Sequence, residues 1–140
     1  MEFMKKSYYY FFYKIYKAIQ YTSYPFGNFL LNFKACVVII TLEIWSLLTI
    51  LNYYGIINNI KPNSSLKNPL IFVPFVIIMI LNYITFYYFD TWEKYNQKFD
   101  QLPKKTNTIG SFVVWTIILF IIVIFFASTF HLHKTIYGKY

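Results

Sequence analysis

Arginine is missing from this sequence. All 13 basic residues are lysines, and only five acidic residues accompany them. Charged residues make up 13% of the chain, where an ordinary soluble domain carries about 25%. Hydrophobic residues make up 58%. That combination excludes intrinsic disorder, which needs low hydrophobicity and high charge. A soluble globule of 140 residues is all but excluded too, because so small a fold cannot bury so much apolar surface. With a single cysteine, Cys36, no intramolecular disulfide and no cysteine-based zinc site can form. The four glycines never fall in G-x-x-x-G spacing, so a glycophorin-like dimer face is unsupported. There is no G-x-S-x-G, no phosphate-cradling glycine loop and no H-E-x-x-H. The chain reads as a non-enzyme with no catalytic, cofactor-binding or metal-ligating residues.

What is present is apolar, in three long runs. Residues 35–57, 70–89 and 109–130 are each long enough to cross a bilayer, which takes about 20 residues. The first run is interrupted by Glu43 and Asn52, the second by Asn82, and the third carries no charge. Pro62 and Asn63 mark the first loop, and Pro69 opens the second span, where a missing N–H costs nothing. Pro74 is placed to kink the start of that span. Pro103, Lys104 and Lys105 mark the second loop. The abundance of Phe, Tyr, Ile, Asn and Lys follows A/T-rich codons, so the tyrosines alone do not define a binding surface.

Ahead of the first run, residues 7–21 form an amphipathic pattern. At 100° per residue Tyr8, Phe12, Ile15 and Ile19 share one arc, with Ser7, Tyr10, Lys14, Lys17 and Tyr21 opposite. No small-residue cleavage site follows, so this is an interfacial helix with its lysines toward headgroups and not a signal peptide. Residues 23–27 then turn the chain toward the first span. The alternation of aromatics and lysines here could imitate a nucleic-acid stacking surface, but the adjacent spans make lipid the better partner. After span two, Trp92, Tyr95, Phe99 and Leu102 are spaced as one helical face. Asp90 stands four residues before Lys94, a favourable helical pair. A helical extension over 90–102 is expected, with Trp92 at the membrane interface.

Lysines near the span ends set the orientation. Lys5, Lys6, Lys14, Lys17 and Lys34 lie on one side with Lys94, Lys98, Lys104 and Lys105. Lys61, Lys67, Lys134 and Lys139 lie on the other. This asymmetry predicts a cytoplasmic N-terminus and second loop, with the first loop and C-terminus outside.

Glu43 is the costly residue, at the middle of its span. Insertion scales charge an acid at that depth roughly 2.5–3.5 kcal/mol. It is therefore expected inside the bundle, as the neutral acid. Rise arithmetic places Glu43 about 13 Å beyond Lys34 and Asn82 about 12 Å from Asp90, similar heights on antiparallel spans. Trp115 and Thr116 lie at a comparable depth on span three. The candidate intramembrane polar cluster is thus Glu43, Asn82, Trp115 and Thr116. Two readings of Glu43 follow: an ion or proton site, or a packing contact that fixes helix register or an oligomer. The second is favoured, because no other carboxylate or intramembrane base accompanies it. His131 and His133 flank Leu132, but they diverge on a helix and no third ligand is near, so they are read as interfacial residues.

Several segments together resemble a known group. They are 8–17, Asn32-Phe33-Lys34-Ala35 with Leu42-Glu43-Ile44-Trp45, Asp90-Thr91-Trp92 through Lys104, and Asn107-Thr108-Ile109-Gly110. The chain resembles an uncharacterised family of small bacterial three-span integral membrane proteins. The resemblance implies a bacterial inner-membrane location and a Glu in span one as a shared feature. It implies no activity, cofactor or site residue. The expected architecture is an all-α membrane protein, a single membrane domain with an amphipathic N-terminal interfacial helix plus three transmembrane helices. The expected role is an interaction or accessory component, partnered by the lipid bilayer and by itself or a larger membrane complex, with no nucleic acid. The alternative is a small oligomeric channel, proton pathway or holin-like pore using Glu43.

Overall fold

The computed structural model describes residues 1–23, 30–63, 65–88 and 91–139. Its described residues form helices joined by short loops, with no strand among them: α1 (Glu2–Thr22), α2 (Leu31–Asn58), α3 (Pro69–Tyr83), a π turn (Ile84–Tyr88), α4 (Thr91–Asp100) and α5 (Lys104–Ile136), with a closing 3-10 turn (Tyr137–Lys139). Three helices, Leu31–Asn58, Pro69–Phe86 and Lys104–Ile136, are long and apolar enough to cross a membrane. The protein is an all-α membrane protein.

The boundaries follow local chemistry. Asn59 ends α2 in the left-handed conformation (φ 53°), which asparagine tolerates, and its N–H bonds back to the Gly55 and Ile56 carbonyls. Gly55 makes this exit possible, since a Cβ there would stand 2.8 Å from the Ile60 carbonyl oxygen and 2.9 Å from Pro62. Asn68 caps α3 by accepting from the Leu70 N–H, with Pro69 in the first turn. The helix then runs through Pro74 unbroken. α5 starts directly after Pro103 and outruns its apolar stretch at both ends. Its 33 residues amount to about 50 Å, well beyond a hydrocarbon core of about 30 Å. Hydropathy marks where the bilayer is, whereas the backbone ladder stops only at a breaker, and none interrupts 104–136.

α2 is the central helix. α5 packs along it in the same direction and α3 lies on it in the opposite one. α1 returns along the first half of α2, filling the space between α2, α4, the π turn and the start of α5. Its apolar arc therefore meets protein: Tyr9, Phe12, Tyr13 and Ile15 are buried, with Tyr8 and Ile19 packed at the edge. Phe12 is fully buried, stacked on Phe86 (ring centroids 3.8 Å) and edge-on to Trp92 (4.5 Å). Tyr9 stacks on Tyr95 at 4.6 Å. The helical face expected at Trp92, Tyr95, Phe99 and Leu102 is the one that turns inward. Trp92 is not laid against headgroups as expected, however. It is 3% exposed, enclosed by Phe12, Tyr16 and Phe86. The expected turn through 24–27, the Asp90–Lys94 pair and the junction of span two with α4 fall outside the described residues.

Of the lysine-bearing segments expected to share a side, the second half of α1 meets the second loop at one end, while Lys5 and Lys6 lie beyond Tyr8, away from that loop. Lys17 pairs with Asp100 at 2.9 Å, and Lys14 donates to the Asn107 carbonyl at 2.9 Å. These two lysines, expected toward headgroups, thus bond protein groups. At the other end the first loop meets the C-terminal turn, with Lys61 over the Tyr137 ring at 4.5 Å.

Candidate functional site

Glu43 lies on the face of α2 that meets both α1 and α3. Asn82 stands near the end of α3, immediately before the helix widens into the π turn. π segments recur at functional sites because they re-aim side chains and free carbonyls. The Asn82 amide nitrogen donates to Glu43 Oε2 at 2.7 Å and to the Ile78 carbonyl at 2.9 Å. The Ile78 carbonyl can only accept, so it fixes which way the amide points. The Tyr8 hydroxyl of α1 lies 2.6 Å from Glu43 Oε1 and 3.1 Å from Asn82 Oδ1. Three helices thus converge through three side chains. A cleft of about 290 Å³ adjoins them, lined by Tyr8, Glu43, Ile78, Leu81, Asn82 and Thr85.

The pairing of Glu43 with Asn82 matches the sequence expectation. Trp115 and Thr116 do not join it. Trp115 is 49% exposed on the outer face of α5, and the Thr116 hydroxyl bonds its own helix at the Phe112 carbonyl. Their depth is comparable, but residues at equal height meet only when they also face each other. On α5 the inward face carries Val114 and Ile118. Tyr8 was overlooked as a partner because the helical wheel assigned it to the apolar arc. The available signal was chemical: a phenol on an apolar face needs a partner for its hydroxyl.

A second polar layer joins α2 to α5. The buried Asn52 amide donates to the Ser128 hydroxyl at 3.1 Å and to Thr129 at 3.3 Å. Both hydroxyls also bond the Phe125 carbonyl. Taking Asn52 level with Ser128, the equal rise of two parallel helices sets Glu43 level with Leu119, the middle of the 109–130 run. Glu43 is therefore deep, and the two layers sit on different faces of α2.

At the lysine-rich end a third set of contacts ties α1 to the second loop. Tyr13 donates to Asp100 Oδ1 at 2.7 Å and Tyr10 to Asn107 Oδ1 at 3.0 Å. Burial pushes the Asp100 carboxyl up, but hydrogen bonds from Lys17 and Tyr13 and the charge of Lys14 outweigh it and hold it below the usual carboxylate range. Burial, then the hydrogen bond to Asp100, holds the Tyr13 phenol above its ordinary range. Burial lowers the Lys14 ammonium, with Asp100 opposing. Gly110 lets α1 approach α5, because a Cβ there would overlap the Tyr10 ring and hydroxyl.

Among the described residues no group of three or more His, Cys, Asp or Glu is placed to hold a metal ion. His131 is exposed, and His133 stacks on Tyr137. Compared with known protein families, curated proteins and solved structures, the chain finds no match.

Proposed function

We propose that the chain is a non-enzymatic multi-pass component of a bacterial cytoplasmic membrane that assembles with copies of itself or with a larger membrane complex. One observation carries this reading. In the apolar stretch of α5 only 11% of residues are buried, and in that of α3 17%, against 33% in central α2. Two of three spans therefore present most of their circumference outward, while Asn82, Thr116, Ser128 and Thr129 already bond within the chain. The lysine-rich end, with Lys14, Lys17 and the second loop, faces the cytoplasm in this reading, on the strength of the lysine asymmetry. The capped lysine-rich end then becomes a rigid cytoplasmic platform.

Mass measurement after gentle extraction tests the assembly. The expected result is a species heavier than the 16.9 kDa chain. Recovery of the monomer alone under every mild condition would overturn it. Reporter fusions test orientation: one after Tyr140 should be active outside and one near Lys104 inside.

The second reading, a small channel, proton pathway or holin-like pore, draws on the cleft beside Glu43. It asks for a polar path, yet the Asn52 layer lies on another face of α2. Liposome flux that is present in the wild type and lost in Glu43→Gln would favour it over the first.

A further inference from the structure

The three contacts joining Tyr8, Glu43 and Asn82 can be counted in hydrogens. Asn82 has two amide hydrogens: one goes to the Ile78 carbonyl and one to Glu43 Oε2. Two contacts remain, Tyr8 to Glu43 Oε1 at 2.6 Å and Tyr8 to Asn82 Oδ1 at 3.1 Å. Both run between oxygens, and each needs one hydrogen. A phenol supplies only one. With an ionised carboxylate, one oxygen–oxygen contact is left bare inside the bundle. The 2.6 Å separation suits either form of the acid, so the third contact is what distinguishes them.

We infer that Glu43 is a proton-binding site, and that the bound proton closes a ring through which α1 is held on α2 and α3. In the closed form the Glu43 carboxyl donates from Oε1 to the Tyr8 oxygen. The Tyr8 hydroxyl donates to Asn82 Oδ1, and the Asn82 amide donates to Glu43 Oε2. Three contacts then hold three hydrogens and no acceptor is bare. Charge balance argues the same way, since no lysine or histidine pairs with Glu43 among the described residues. The titratable groups around it are the Tyr8 phenol of α1, with Lys5 exposed one turn before it and not paired to Glu43, and, on α2 itself, the Cys36 thiol two turns back. α3 contributes the Asn82 amide, and its Tyr83 phenol is exposed. With no cation to offset it, an ionised Glu43 would be a lone charge at mid-span.

The inference extends the assembly reading without depending on it, since the ring lies within one chain. Glutamine is the natural probe. Its amide can donate to Tyr8 and its carbonyl can accept from Asn82, so Glu43→Gln copies the protonated acid permanently. The experiment uses the full-length protein in lipid nanodiscs at pH 7. An infrared difference spectrum, wild type minus Glu43→Gln, should contain the carbonyl band of a protonated carboxylic acid. Tyr8→Phe should shift that band, because it removes the acceptor of the acid hydrogen; this arm stands if the Gln variant fails to fold. Cys36 is 5% exposed within the core that α1 helps to cover, so its reaction with a maleimide reports undocking. Glu43→Gln should label at about the wild-type rate, because it keeps the ring closed, whereas Glu43→Leu, which leaves Tyr8 and Asn82 without their partner, should label about tenfold faster. A carboxylate band in the difference spectrum at pH 7, an unshifted band in Tyr8→Phe, or a Gln variant that labels as fast as the Leu variant would each overturn the proposal.

Discussion

Gly110→Ala puts the seating of α1 on α5 to a sharp test, because two opposing effects of known size meet there. In a helix interior alanine is favoured over glycine by about 1 kcal/mol. Against this stands the Tyr10 ring, which a Cβ at position 110 would overlap. Tyr10 cannot swing aside freely. Its ring packs edge-on against Phe99 at 5.1 Å and its hydroxyl donates to Asn107 at 3.0 Å. Displacing it forfeits a hydrogen bond worth about 1 kcal/mol and an aromatic contact worth about 0.5–1.5 kcal/mol. The obstruction wins, and Gly110→Ala should destabilise by about 0.5–1.5 kcal/mol. In a Tyr10→Leu background the obstruction is gone, and the same substitution should stabilise by about 1 kcal/mol. The sign therefore reverses between backgrounds, with a coupling of about 2 kcal/mol. Reversible unfolding in mixed micelles, followed by tryptophan fluorescence, measures all four corners of the cycle. If Gly110→Ala stabilises by about 1 kcal/mol in both backgrounds, Tyr10 does not lie over Gly110 and the described seating of α1 is wrong.

Phe12→Ala should cost about 3–5 kcal/mol in the same assay, as expected for a fully buried ring between Phe86 and Trp92; a loss under about 1 kcal/mol would place α1 outside the core. Asp100→Asn should cost less than about 1 kcal/mol, and less again in high salt, since this side chain is 46% exposed. Its folded carboxyl lies below the unfolded value, so the Asp100 contribution is present above the unfolded value and disappears as pH falls through the folded one. Wild type and Asp100→Asn should therefore converge below about pH 4, and a gap that persists in acid would refute the assignment. The Tyr13 phenol bounds the same contact from above: raised in the folded state, it loses its contribution as pH climbs past the ordinary phenol value of about 10. Asn52→Leu should cost only about 0.6–1.7 kcal/mol, because Ser128 and Thr129 keep the Phe125 carbonyl, and a larger loss would mean that the layer does more than join α2 to α5.

The sequence made the helices legible because hydropathy and periodicity act locally. Residues 35–57 and, as far as they are described, 70–88 lie where α2 and α3 with its π turn stand, and residues 92–102 turn the expected face inward. The pairing of Glu43 with Asn82 was legible too, because helix rise converts chain position into height. Azimuth was harder. A wheel separates an apolar face from a polar one, but in span three every face is apolar, so nothing distinguished the side of Val114 from that of Trp115. Ser128 and Thr129 were hidden for the same reason. The signal that pointed to them was Asn52, whose amide had to find partners in a place without water.

The tyrosines of α1 resolve a tension in the composition. Codon bias explains why so many are present, not where they point. Tyr8 reaches the Glu43 and Asn82 groups, Tyr9 donates to the Thr85 carbonyl in the π turn at 3.2 Å, Tyr10 reaches Asn107 and Tyr13 reaches Asp100. Within two helical turns the hydroxyls of one helix engage α2, α3, the π turn, α4 and α5. A phenylalanine at each position would fill the same space but bring no direction, since ring packing tolerates sliding and rotation. A lysine would bring direction at the cost of a buried charge. Tyrosine supplies apolar area along its ring and one donor at its tip, which suits a helix that must lie against apolar spans while finding polar groups both deep in the bundle and at its lysine-rich end. The register of α1 is thus fixed by where its hydroxyls end, and its adhesion by where its rings lie.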